Sequence, residues 1–122
     1  MQPVAETPKS QAILGKDTLA AVRLFQSLIV DKYQVYCVMV YGSRARGTHR
    51  PDSDVDVVVL LDGERDQTMQ TKFDMGDIAF DVLMETSVYI SPLPIWRDQW
   101  EHPESYSNPV LLLNIARDGI EI

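Results

Sequence analysis

Cysteine, histidine and long apolar runs are what this 122-residue sequence has least of. Its one cysteine, Cys37, rules out an internal disulfide and excludes a four-cysteine zinc site. The residues around it are apolar, which predicts a buried, inert thiol. His49 and His102 stand apart from any ligand pattern and are expected at the surface. No apolar run approaches the roughly 18 residues that suggest a membrane span. The polar start, Met1 to Pro8, does not have the form of a signal peptide. Basic residues are also short: 11 Lys and Arg against 18 Asp and Glu give a net charge of −7. That sign does not suit a general nucleic-acid binder, so no direct nucleic-acid binding is expected. There is no internal repeat and no low-complexity segment. A soluble, cytoplasmic protein with no membrane partner is the expectation.

What remains is ordinary globular composition, 45% hydrophobic and 24% charged, at a length that fits one domain. Residues 1–11 are polar and contain prolines, so poor order is expected there, with a single domain over residues 12–122. Leu19, Val22, Phe25, Leu28 and Ile29 recur at helical spacing and predict a helix from Asp17 or Lys16 to about Lys32, with Asp17 a reasonable N-cap. Val35 to Tyr41 reads as a strand, Ser43 to Gly47 as a helical turn, and Asp54 to Leu61 as a second strand. Arg65 to about Asp74 reads as a short helix and Asp77 to Met84 as a third strand. Ser91 to Pro109 holds four of the seven prolines and both tryptophans and reads as an irregular loop. Trp96 and Trp100, four apart, are expected to pack a small satellite core. Pro109 to Arg117 reads as a closing helix, with Gly119 beyond its end. The fold class is α/β (α+β).

The chemistry concentrates between residues 42 and 56. Gly42-Ser43 is followed by ten residues and then by Asp54-Val55-Asp56, which opens the apolar run Val57 to Leu61. Alternation along a strand puts Asp54 and Asp56 on one face, with Cα atoms about 6.5–7 Å apart. Two carboxylates so close repel each other, and a divalent cation resolves the conflict. Magnesium takes oxygen ligands and commonly binds through one or two carboxylates plus substrate phosphates. A pair of such ions can stabilise both the attacking and the leaving oxygens of an in-line displacement. Gly42 allows the backbone to approach a phosphate, and Ser43 with the following N–H groups can donate to it. Arg44 and Arg46 are close enough for one of them to reach the same phosphates. Residues two apart on a helix face different ways, so only one is expected to do so. Asp81 is the candidate third carboxylate, set mid-strand among Phe80, Val82 and Leu83, where an unpaired acid is costly. From a third strand beside the second it would face Asp54 and Asp56, bind metal and help deprotonate an attacking hydroxyl.

At Gly42-Ser43, Asp54-Val55-Asp56 and Asp81 the chain resembles the DNA polymerase β-like nucleotidyltransferases. Its size and the segment Gly42 to Gly47 look like their minimal nucleotidyltransferase (MNT) branch. The resemblance covers roughly residues 17–118. It implies a small mixed β-sheet flanked by helices, Mg2+ as cofactor and ATP as substrate. It also implies metal binding by Asp54, Asp56 and Asp81, and triphosphate binding by Gly42 and Ser43. His49 departs from the acid or small residue common at its spacer position, but the spacer length is kept. Many stand-alone members are antitoxins of type VII (HEPN/MNT) toxin–antitoxin systems. They transfer AMP to a tyrosine of a neighbouring, all-helical HEPN ribonuclease toxin. The same role is implied here, with the partner contact expected in Ser91 to Pro109. A catalytically idle antitoxin acting by binding alone, or an aminoglycoside-type small-molecule nucleotidyltransferase, is the alternative.

Overall fold

A computed structural model describes residues 11–63 and 68–122. All but Gln11 of the segment expected to be poorly ordered lies outside these residues, as does the expected helix start at Arg65. In chain order the elements are α1 (Lys16–Ile29), β1 (Val35–Tyr41), α2 (Ser43–Arg46), β2 (Val55–Leu61), α3 (Thr68–Thr86), β3 (Ile90–Trp96) and α4 (Arg97–Glu101). A 3-10 turn (Pro103–Ser105), α5 (Pro109–Asp118) and β4 (Ile120–Glu121) complete them. The strands form one mixed sheet in the order β3-β2-β1-β4. β1 runs antiparallel to both β2 and β4, and β2 runs parallel to β3.

Strand alternation sorts the apolar side chains into two layers. Val38, Val40, Val55, Val57, Val59 and Leu61 pack in one buried cluster with Phe25 and Ile29 of α1 and Met75, Ile78, Ala79 and Val82 of α3. Cys37, Met39, Val58 and Leu60 point the other way, into a cluster with Ile95, Trp100, Leu112 and Ile115. Cys37 is buried as expected. α1 begins one residue before Asp17, which lies in its first turn, where an acid suits the helix dipole. α5 begins at Pro109, capped by the Asn108 side chain, which accepts from the Leu111 N–H.

Two sequence expectations fail here, for one topological reason. Parallel strands cannot be joined by a tight turn and need a crossover, usually a helix. The segment expected to hold a short helix and a third strand is that crossover, the single 19-residue helix α3. The third strand comes later, in Ile90–Trp96, within the segment read as a loop because of its prolines. β3 lies at the sheet edge, where proline is tolerated. Pro92 and Pro94 share one parity, so both missing N–H groups fall on the same side of the strand, and the other parity can supply the ladder to β2.

Candidate active site

The site forms where the ends of β1 and β2 meet. Tyr41, the last residue of β1, is the register partner of Asp56, and on the other side Asp56 pairs with Ser91 of β3. Val55 and Val57 point into the α1/α3 layer. Asp56 therefore points to the opposite face, the one that carries Val58 and Leu60. Its carboxyl is pushed above the usual carboxylate range, first by burial and then by the charge of Asp54. The smaller of these two causes is the repulsion of Asp56 by its neighbour that the Asp-x-Asp spacing predicts.

Gly42 ties the turn to this pair. Its backbone has φ +75° and ψ −152°, a combination essentially reserved for glycine. A Cβ placed there would sit 2.7 Å from Asp56 Oδ2. The chain thus brings backbone, not a side chain, against the carboxylate. Ser43 opens the single-turn helix α2, whose first N–H groups have no partners within the helix. Gly47 closes it in the left-handed conformation, and the Thr48 N–H returns to the Ser43 carbonyl at 3.0 Å.

The two arginines separate as the helical geometry requires, but Arg44 does not face the site. It is buried, and its Nη1 donates to Thr18 Oγ1 at 3.1 Å. Its Nη2 donates to the Ser53 carbonyl at 2.6 Å and to the Pro51 carbonyl at 3.4 Å. The guanidinium clamps the spacer loop to α1, so the structure corrects its expected place on a phosphate. Arg46 is exposed, near enough to Asp118 of α5 to help hold that carboxyl below its ordinary range, after the larger effect of the Arg117 hydrogen bond.

Asp81 is the main correction. It lies on α3, exposed, while α3 packs on the sheet face opposite to Asp54 and Asp56. Asp81 is not brought to the pair. The β3 residue beside Asp56 is Ser91, a hydroxyl where the third acid was expected. Among the described residues no group of three or more His, Cys, Asp or Glu side chains could hold a metal ion. The donor chemistry of Asp54 and Asp56 still fits a divalent cation, since a cation would offset the burial and the neighbouring charge that disfavour the Asp56 carboxylate.

The sequence reading missed Tyr41, beside Asp56, and Tyr106, beside Tyr41. The Tyr41 phenol is pushed up to about 12 by burial, then by the Asp56 charge, then by Tyr106. Tyr106 is itself raised by burial. Both phenols thus stay protonated, and Tyr41 does so close to the Asp56 carboxylate. The position of Tyr41, one residue before the Gly-Ser turn, was the available signal. Tyr106 lies in a segment with no periodicity and gave none. Trp96 and Trp100 are core, as expected, at 4% and 1% exposure, although they pack in different clusters.

The sequence model for the nucleotidyltransferase domain matches residues 23–98, a span that contains Gly42, Ser43, Asp54, Asp56 and Ser91. No curated protein gave a significant match. Among solved structures, a candidate nucleotidyltransferase from Sulfolobus solfataricus is similar at 15% identity and a TM-score of 0.49. That alignment covers 88% of this chain and 86% of the other.

Proposed function

The chain belongs to the nucleotidyltransferase domain family, and on that premise we propose that it is a protein adenylyltransferase of the MNT type. On this reading it works in the cytoplasm as the antitoxin of a HEPN/MNT pair. It moves AMP from ATP to a tyrosine hydroxyl of the HEPN toxin and so neutralises it. The observation that carries the proposal is the close approach of the Gly42 backbone to Asp56, which joins a phosphate-sized turn to a carboxylate pair.

The transfer forms a bond from the tyrosine oxygen to the α-phosphorus and breaks the bond to the β-phosphate oxygen. Pyrophosphate leaves, and the hydroxyl proton passes to solvent. Gly42 and Ser43 would seat the triphosphate by close backbone approach and hydroxyl donation. Arg46, exposed on α2, supplies a positive charge on that side. Asp54 and Asp56 would hold Mg2+, which when bound neutralises charge developing on the phosphates. Tyr41, protonated near Asp56, would offer a hydroxyl donor on that side of the pair.

The test is incubation of the chain with the neighbouring gene product, α-labelled ATP and Mg2+. Label on a tyrosine of that partner is the expected result. An unlabelled partner, under conditions where the two bind, would sink the proposal. One observation favours the second reading, neutralisation by binding alone: Ser91 stands where a third acid would complete the site. An Asp54→Asn/Asp56→Asn double variant that neutralises as well as wild type would establish that reading.

A further inference from the structure

The helix α3 carries apolar residues on two sides. Thr71, Met75, Ile78, Ala79 and Val82 are buried against α1 and the sheet. On the other side Met69, Phe73, Phe80 and Met84 are 62%, 64%, 56% and 71% exposed. Four-residue and seven-residue steps between them put all four on one stripe. Gly76 falls in the middle of it, between Phe73 and Phe80. A glycine inside a helix costs about 1 kcal/mol relative to alanine. Nothing among the described residues requires it: its φ is not positive, and a Cβ there would meet no atom within 4 Å beyond its own helix backbone. A bare backbone at the centre of an exposed apolar stripe allows close approach from outside.

The border of the stripe selects the occupant. Asp77, Asp81 and Glu85, spaced four apart, form an acidic column along one side, and Lys72 stands on the other. A twofold antiparallel pairing of α3 with its own copy would set the acidic column against itself. A parallel pairing would offer one lysine to three acids. The first ten residues of the chain carry one Glu and one Lys, with Met1, Val4 and Ala5 as their apolar residues besides proline. They supply neither a basic border nor an apolar ridge. We propose that the outer face of α3, from Met69 through Gly76 to Met84, docks a helix of a partner protein whose apolar ridge is bordered by lysine and arginine. The face lies on the opposite side of the sheet from Asp54 and Asp56, so docking leaves the carboxylate pair open. The inference rests on α3 alone and does not depend on the transferase reading.

The test uses the whole chain and two synthetic amphipathic helical peptides of about 20 residues, long enough to form helix. They share one apolar ridge and differ in a Lys or a Glu border. Fluorescence anisotropy should show the Lys-bordered peptide binding at least about tenfold more tightly, a difference of ~1.4 kcal/mol. Phe80→Glu should abolish binding, and Asp77→Lys/Asp81→Lys should reverse the preference between the peptides. Both sets of changes are at exposed positions, and circular dichroism confirms the fold of each variant. Gly76→Ala should raise the melting temperature yet weaken binding several-fold, which a merely structural glycine would not do. Equal affinity for the two peptides, binding that survives Phe80→Glu, or no binding of the Lys-bordered peptide overturns the proposal. So does sedimentation of the chain alone as a dimer that Phe80→Glu dissolves, which would assign the stripe to a second copy.

Discussion

Gly42 and Asp56 are one structural unit, because the glycine's missing Cβ is the space that the carboxylate oxygen fills. Gly42→Ala forces either the backbone or Asp56 to move, and places alanine in a region costing about 1–3 kcal/mol. We expect that loss in urea unfolding, and a drop of more than about 100-fold in nucleotide transfer, since a misplacement near 1 Å is enough for this. Asp56 itself lowers stability at neutral pH. Its folded-state pKa is raised, so the folded chain holds a proton that the unfolded chain has already released. Stability therefore falls as pH rises from the ordinary carboxylate value through the raised one, and stays lower at neutral pH. Asp56→Asn removes this effect. Thermal melts should show the variant more stable than wild type at pH 7, with the gap closing below about pH 4, where the unfolded carboxyl is also protonated. Mg2+ should raise the melting temperature of wild type and leave Asp56→Asn unmoved, because a ligand stabilises only what it binds.

At the scale of elements, the sequence reveals the two central strands, the turn between them and the flanking α1 and α5, because each has one apolar face and clear punctuation. It conceals α3 because that helix is apolar on two sides. Phe80 and Met84 fill in the polar positions that would have exposed the helical spacing of Met75, Ile78, Ala79 and Val82. The resulting strand reading carried Asp81 to the wrong face. β3 is hidden for the opposite reason, since its prolines signal a loop unless an edge position is known. Arg44 could not be told from Arg46 by type or spacing; burial under the loop decides it. That assignment predicts a structural phenotype. A lysine ammonium is a point charge and cannot span Thr18 and Ser53 as the planar guanidinium does. Arg44→Lys should cost ~3 kcal/mol, the range for breaking hydrogen bonds to a buried charged group. In denaturant titration the midpoint should fall with the slope unchanged. Activity should fall as well, since Ser53 directly precedes Asp54 on the clamped loop.

The whole molecule is lopsided. Among the described residues, helices of 14 and 19 residues cover one face of the sheet, whereas the other has helices of 5 and 10 residues and a 3-10 turn. The carboxylate pair opens on the thinner side, where Tyr41 and Tyr106 pack at the rim of the second cluster. Trp100 is the largest fully buried side chain there, 1% exposed, and it touches the same cluster as Leu60, Ile95 and Ile115. Its indole Nε1 is buried and has no hydrogen-bond partner among the described residues. Two effects therefore oppose each other at this position: apolar packing, which favours the ring, and an unpaired donor, which costs about 1–3 kcal/mol. Trp100→Ala removes the packing of the whole ring and should cost about 3–5 kcal/mol, a large share of the ~5–15 kcal/mol that holds a domain together. Trp100→Phe removes both the donor and part of the ring, so its loss should be far smaller, on the order of 1 kcal/mol. Urea unfolding of the two variants separates packing from the unpaired donor. If Trp100→Phe is as damaging as Trp100→Ala, the indole N–H is satisfied in solution and the thin layer depends on that bond. If Trp100→Phe is nearly neutral, packing alone holds α4 and α5 over the sheet. The site then rests on a layer whose stability is set by one ring, and Tyr41 and Tyr106 should become more solvent-exposed in Trp100→Ala than in Trp100→Phe. Tyrosine titration would register this as a fall of the Tyr41 phenol from about 12 towards its ordinary value.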